Sequence, residues 1–144
     1  MYRLDNGFLE VLIIHPGGPF WQSKETGAWS IPKGEFAPGE DILKTAIREF
    51  EEELGTRPTG EFIRLNPIRQ KGGKLVHAFA LEGDLDTANI TSNTFEQEWP
   101  PRSGKMQEFP EVDRAEWYDI PTARQKINPA QTAFLDELAQ KLSE

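Results

Sequence analysis

The sequence predicts an α/β domain, a mixed β-sheet sandwiched by helices, and three observations carry that reading. Residues 8–15 form a nearly continuous apolar run, the pattern of a strand buried on both faces. Residues 41–54 repeat apolar side chains at helical spacing, with strand-like segments on both sides. A second amphipathic helix closes the chain, so a sheet has helices to cover it. At 144 residues the chain suits one domain, 1–144, with room for a real core.

Taken in order, the chain starts as a hairpin. Met1 to Leu4 and Phe8 to His15 flank Asp5-Asn6-Gly7, and Asn-Gly between apolar runs is a strong turn signal. The first run is short for its partner, so the native strand is expected to begin before Met1. Residues 16–40 carry Pro16, Gly17, Gly18, Pro19, Gly27, Pro32, Gly34, Pro38 and Gly39, and read as loop. The helix predicted over 41–54 buries Leu43, Ala46, Ile47, Phe50 and Leu54, and Gly55 stops it. Phe62 to Gln70 and Lys74 to Leu81 read as strands joined through Gly72-Gly73. Residues 82–110 read as a long irregular excursion around Trp99-Pro100-Pro101-Arg102, and loops of that length tend to be functional. A last strand is expected over 114–119. Asn128-Pro129 then opens a C-terminal helix whose apolar face is Phe134, Leu135, Leu138 and Leu142.

Composition removes several function classes. There is no cysteine, hence no disulfide framework, thiolate zinc site or cysteine nucleophile. His15 and His77 are too few for a histidine-rich metal centre. No apolar window approaches the roughly 18 residues that span a bilayer, and no basic segment leads into an apolar stretch. The net charge of −8 disfavours bulk binding of a nucleic-acid backbone. These features fit a cytoplasmic protein without a membrane partner.

The acid is not evenly spread. Glu49, Glu52 and Glu53 fall on one arc of the predicted helix, beside its buried stripe, whereas Glu51 points elsewhere. Like charges at helical spacing repel, and carboxylates at a helix C-terminus meet the unfavourable end of the dipole. Either the face is simply solvated, or something positive compensates it. A hard divalent cation such as Mg²⁺ prefers such oxygen ligands and is commonly shared with phosphates.

The preceding residues favour the cation. Gly34, five residues, Glu40, seven residues, then Arg48-Glu49-Phe50-Glu51-Glu52-Glu53-Leu54-Gly55-Thr56 resembles the Nudix box. Its seven fixed letters all match; only Thr56 departs, standing where the family has an apolar residue. The resemblance implies the Nudix α/β/α sandwich and hydrolysis of a diphosphate linkage in a nucleotide with Mg²⁺ or Mn²⁺. Carried over, Glu49, Glu52 and Glu53 are implied metal ligands, with Glu40 as an additional acid and Gly34 offering its carbonyl. Arg48 is implied to orient a box carboxylate through its planar guanidinium.

The general base stays open among Glu52, Glu53 and Glu111. The last stands six residues before Trp117, a spacing resembling the dinucleoside polyphosphate hydrolase branch, with Glu98 and Glu108 as rivals. Trp29-Ser30-Ile31-Pro32-Lys33-Gly34 and Pro38-Gly39-Glu40-Asp41 resemble a stretch of diadenosine tetraphosphate hydrolases, which makes Lys33 a phosphate contact. Arg69, Lys71, Lys74, Arg102 and Lys105 are further candidates for phosphate. Trp21, Phe79, Trp99 and Phe109 are candidates for stacking on a base. The stretches His15 to Trp21, Glu98 to Gly104 and Phe109 to Arg114 are similar to a bacterial Nudix subgroup of pyrophosphohydrolases. In such relatives a strand beginning Ser-Ala-Gly precedes the equivalent of Tyr2. The expected substrate is a dinucleoside polyphosphate or a nucleoside triphosphate, bound by a monomer or homodimer. The alternative is a catalytically inactive module that senses a nucleotide.

Overall fold

The computed structural model describes residues 1–33, 38–70 and 72–143. β1 (Tyr2–Asp5) and β2 (Phe8–Pro16) form the expected hairpin, with Tyr2 opposite Val11 and Asp5 opposite Phe8. Asn6 and Gly7 take φ of 51° and 83°, the left-handed pair that a two-residue turn needs. After the loop comes α1 (Ile42–Leu54), capped by the Asp41 carboxylate on the Lys44 amide at 3.0 Å and ended by Gly55 at φ 80°. Of its expected apolar stripe, Phe50 and Leu54 are buried, but Ala46 is exposed and Thr45 takes a buried place.

The two central strand segments are each broken in two. β3 (Phe62–Arg64) pairs with β6 (Phe79–Leu81), and β4 (Ile68–Arg69) pairs with β5 (Leu75–Val76) across the glycine turn. Pro67 interrupts the first segment, since proline has no amide to give a ladder. The irregular excursion expected over 82–110 is corrected: it holds a further hairpin, β7 (Thr94–Glu98) with β8 (Met106–Pro110). Its alternation puts Phe95, Gln97, Trp99 and Phe109 on the half-buried side and glutamates outward. β9 (Val112–Asp119) starts two residues earlier than expected and pairs antiparallel with β2, giving the order β1-β2-β9. A short helix absent from the sequence reading follows, α2 (Ile120–Lys126), capped by Asp119. The C-terminal helix starts later than Asn128-Pro129 implies: those residues open a 3₁₀ turn, and α3 spans Thr132–Ser143.

The period of two along β2 sorts the core. Leu12 and Ile14 face a cluster with Phe50 and Leu54 of α1, plus Val112 and Ala115. Val11 and Ile13 face the opposite cluster with Trp29, Ala123, Ile127, Phe134, Leu135 and Leu138. Helices therefore cover both faces of the central strands, as the sequence predicted. Parallel bridges, Tyr2 with Glu82 and Trp29 with Ile127, make the strand pairing mixed. Among the described residues no helix is long and apolar enough to cross a membrane.

One irregularity reaches toward the site. His15 lies opposite Arg114 but Pro16 lies opposite Val112, so Asp113 is an extra residue in β9. Such a bulge re-aims side chains. Asp113 meets the fully buried His15 Nδ1 at 2.8 Å, while Arg114 pairs with Glu25 of the preceding loop. The His15 Nε2 donates to the Lys24 carbonyl at 2.6 Å, fastening that loop to the sheet.

Candidate active site

α1 projects Glu49, Glu52 and Glu53 along one edge because it is held at both ends and packed on β2. Arg48 lies on the same edge. Its Nη1 is 3.2 Å from Glu49 Oε1 and 3.2 Å from Glu52 Oε1, and its Nη2 is 3.7 Å from Glu40 Oε2. One guanidinium thus gathers three box carboxylates, those of Glu40, Glu49 and Glu52. Glu40 also accepts from the Thr45 hydroxyl at 2.9 Å, which explains why a polar residue occupies that buried helical position.

Glu53 stands apart from Arg48 and receives the Lys33 amide at 3.2 Å. Burial drives its pKa up to about 8; the Lys33 amide opposes, and the Glu49 and Glu111 carboxylates push further upward. Glu49 is also raised, first by burial, then by Glu52, with Arg48 opposing and Glu111 adding. Glu111, between β8 and β9, thus adds its charge to the field at both box acids. Its rivals Glu98 and Glu108 sit on the β7–β8 hairpin and are not among the groups that shift either.

Beside Glu49 opens a cleft of about 590 Å³, lined among others by Lys33, Thr45, Arg69, Lys74 and His77. The β4–β5 hairpin forms its far wall. Arg69 already donates to the Gly73 carbonyl at 2.8 Å, which ties its guanidinium to the hairpin turn. A smaller apolar cavity of about 110 Å³ shares Pro32, Ala46 and His77 with the cleft and reaches Phe79 and Phe134. Trp99 and Arg102 are elsewhere, at the tip of β7–β8, and neither lines the cleft. Trp21 packs edge-on against Phe20, with the Lys24 ammonium over both rings. Phe109 pairs with Phe95 inside the β7–β8 hairpin. Gly34 and Lys71 lie outside the described residues.

The donor set suits a hard divalent cation. Its atoms are carboxylate oxygens, and Glu53, deprived of water by burial, also feels the Glu49 and Glu111 carboxylates, so a cation would favour its charged form. Among the described residues, no three acidic or histidine side chains are gathered tightly enough to hold an ion as they stand. Arg48 occupies the space between the carboxylates as their counter-charge.

Sequence reasoning missed the segment 91–93, which joins α1 to Glu111. The Asn93 amide donates to the Glu52 carbonyl at 2.8 Å, and the Asn93 carbonyl accepts from the Glu111 amide at 2.9 Å. Only alternation in the residues just after it hinted that an ordered hairpin began there.

A family model described as NUDIX domain matches residues 2–138. The chain belongs to the Nudix family of hydrolases. It is 32% identical over 101 residues to a protein named octanoyltransferase from Myxococcus xanthus; the match takes in 70% of this chain but 25% of that protein. The chain thus spans about a quarter of the length of that curated relative. Among solved structures it is similar to a C. elegans Ap4A hydrolase binary complex, with 21% identity, 99% of this chain and 93% of that one covered, and a TM-score of 0.65. It is also similar to the NUDIX domain of Shewanella oneidensis NrtR complexed with ADP ribose, with 15% identity, 98% and 82% covered, and a TM-score of 0.59. These structural likenesses show the fold.

Proposed function

We propose that the protein is a Mg²⁺- or Mn²⁺-dependent pyrophosphohydrolase that cleaves a diphosphate linkage in a nucleotide, a dinucleoside polyphosphate or a nucleoside triphosphate. The observation that carries this reading is the juxtaposition of the acidic edge of α1 with a cleft whose far wall is basic. A divalent cation, when bound, supplies neutralisation of phosphate charge and polarises water. Glu49, Glu52 and Glu53 would hold it, with Glu40 as an additional acid; Gly34, the further expected ligand, lies outside the described residues. Arg48 keeps Glu49 and Glu52 in place. Lys33, Arg69 and Lys74 draw the phosphate chain across the cleft opposite Glu49. Glu111 accepts a proton from the attacking water; its charge acts on Glu49 and Glu53 from a separate element, and its backbone is tied through Asn93 to the helix that carries them. A substrate of this charge needs no bulk basic surface, in keeping with a net charge of −8. A cysteine-free chain suits the reducing cytoplasm.

The test is hydrolysis of a panel of dinucleoside polyphosphates, nucleoside triphosphates, sugar nucleotides and capped RNA with Mg²⁺, with products resolved. Wild type is expected to release two phosphorylated products only when the cation is present. Glu52→Gln and Glu53→Gln are expected to fold and lose at least about a hundredfold in kcat. Full activity in either variant without magnesium overturns the reading. Tight nucleotide binding without turnover by wild type points instead to a sensing module.

A further inference from the structure

We propose that Ser92 is a positioning residue for hydrolysis, fixing Glu111 to the end of α1 through the three-residue bracket 91–93. The inference rests on the reading of Glu111 as the proton acceptor. The last carbonyls of a helix have no partners within it. In α1 the Glu51 carbonyl takes the Gly55 amide at 2.8 Å, the Glu52 carbonyl takes the Asn93 amide at 2.8 Å, and the Leu54 carbonyl takes the Thr91 amide at 3.2 Å. The bracket therefore docks on the stretch of helix that carries the box acids. Its other side holds Glu111: the Asn93 carbonyl accepts from the Glu111 amide at 2.9 Å, and the Glu111 carbonyl accepts from the Gly17 amide at 2.9 Å.

Ser92 supplies the side chain that closes this circuit. Its hydroxyl donates to the Asn93 carbonyl at 2.8 Å and accepts from the Val112 amide at 3.0 Å. Residues on both flanks of the Glu111 Cα are thereby tied to one short segment, and Val112 is buried, so its amide has no ready replacement from water. A general base has to stand within hydrogen-bond reach of the water it deprotonates. A carboxylate on an exposed loop, anchored only by its neighbours in sequence, does not hold that distance. The bracket does so by referring Glu111 to the same helix as Glu49 and Glu53.

The test compares Ser92→Ala, Glu111→Gln and their double variant with wild type, each as the full chain, on diadenosine tetraphosphate with Mg²⁺. Ser92→Ala is expected to lower kcat by about tenfold to a hundredfold with KM within about twofold. The same change made on Glu111→Gln is expected to cost nothing further. Ser92→Thr and Ser92→Val are nearly equal in shape and differ in the hydroxyl; Thr is expected to recover the rate and Val is not. In metal-free protein the Glu111 and Val112 amides are expected to exchange faster in Ser92→Ala, while amides of the β1–β2 hairpin keep their protection. Wild-type kcat in Ser92→Ala, unchanged exchange at Glu111 and Val112, or losses that simply multiply in the double variant overturn the positioning role. Wild-type kcat in Glu111→Gln overturns the base assignment beneath it, which separates the two failures.

Discussion

At Glu53, burial and charge pull in the same direction. Desolvation is the largest cause of its raised pKa, two neighbouring carboxylates add to it, and the Lys33 amide only partly offsets them. Near neutral pH, and without a cation, this carboxyl is mostly protonated in the fold, and a cation must displace that proton. The consequence for stability has a definite sign. Unfolded, the group titrates near its model value of 4.5; folded, it titrates near about 8. Between those values the native state binds more protons than the unfolded one, so stability falls as pH rises through the window. The contribution is present in full below 4.5 and lost as pH rises through about 8, a change on the order of 5 kcal/mol. Thermal denaturation in the presence of a chelator is expected to show the melting temperature declining from about pH 5 to about pH 8.5, and declining less steeply in Glu53→Gln. Glu49, raised in the same direction, accounts for a remaining slope. An identical slope in wild type and Glu53→Gln would locate the effect elsewhere.

At the scale of elements, α1 is held differently at its two ends. Asp41 caps the start with a local hydrogen bond, whereas Gly55 both ends the helix and lets the bracket approach. A Cβ on Gly55 stands 2.9 Å from the Thr91 carbonyl oxygen and 3.0 Å from the Thr91 Cβ, and φ of +80° disfavours any side chain. Gly55→Ala is therefore expected to cost about 1–3 kcal/mol in denaturant unfolding and also to depress kcat. Asp41→Ala is expected to cost about 1 kcal/mol while leaving kcat nearly unchanged. Comparing kcat at a temperature where both variants are folded checks this; equal kcat in the two would mean that the bracket has no bearing on the chemistry.

The same contrast explains what was legible beforehand. The box acids share one helix, so their common edge follows from a 100° turn per residue. The first hairpin follows from Asn6-Gly7. Apart from the Ser92 hydroxyl on the Val112 amide, the bracket joins backbone groups of 52 and 54 to 91 and 93 and of 93 to 111, and backbone groups leave no mark on residue type. The β7–β8 hairpin is hidden in the sequence because Pro100, Pro101 and Gly104 at its turn outweigh the alternation of Phe95, Gln97 and Trp99. Asp119, followed by Pro121 in the first turn, signalled α2, but the segment after β9 is short enough to pass for a connection.

At the scale of the whole molecule, the proposed function requires a protein of net charge −8 to bind a polyanion. The acids are not the surface the phosphates meet first. Lys33, Arg69 and Lys74 lie around the cleft beside Glu49, while β7–β8 turns Glu96, Glu98 and Glu108 outward on a separate hairpin. The basic side chains at the cleft wall are thus set apart from the distant acids of β7–β8, and beyond a Debye length of roughly 8 Å those acids are largely screened. Arg102 at the hairpin tip and Lys74 at the cleft wall each carry one positive charge, so removing either changes the net charge equally. If the total charge mattered, both substitutions would weaken substrate binding alike. Because the site is local, Lys74→Ala is expected to raise KM by about three- to tenfold at low salt, as fits the loss of one charge-assisted contact in a solvated cleft. Arg102→Ala is expected to change KM by less than about twofold. Raising the salt concentration should narrow the gap between wild type and Lys74→Ala, since screening weakens what the lysine adds. Steady-state kinetics on diadenosine tetraphosphate at two ionic strengths measures all of this, and a larger effect from Arg102→Ala would mean that the hairpin tip, rather than the cleft wall, holds the phosphates.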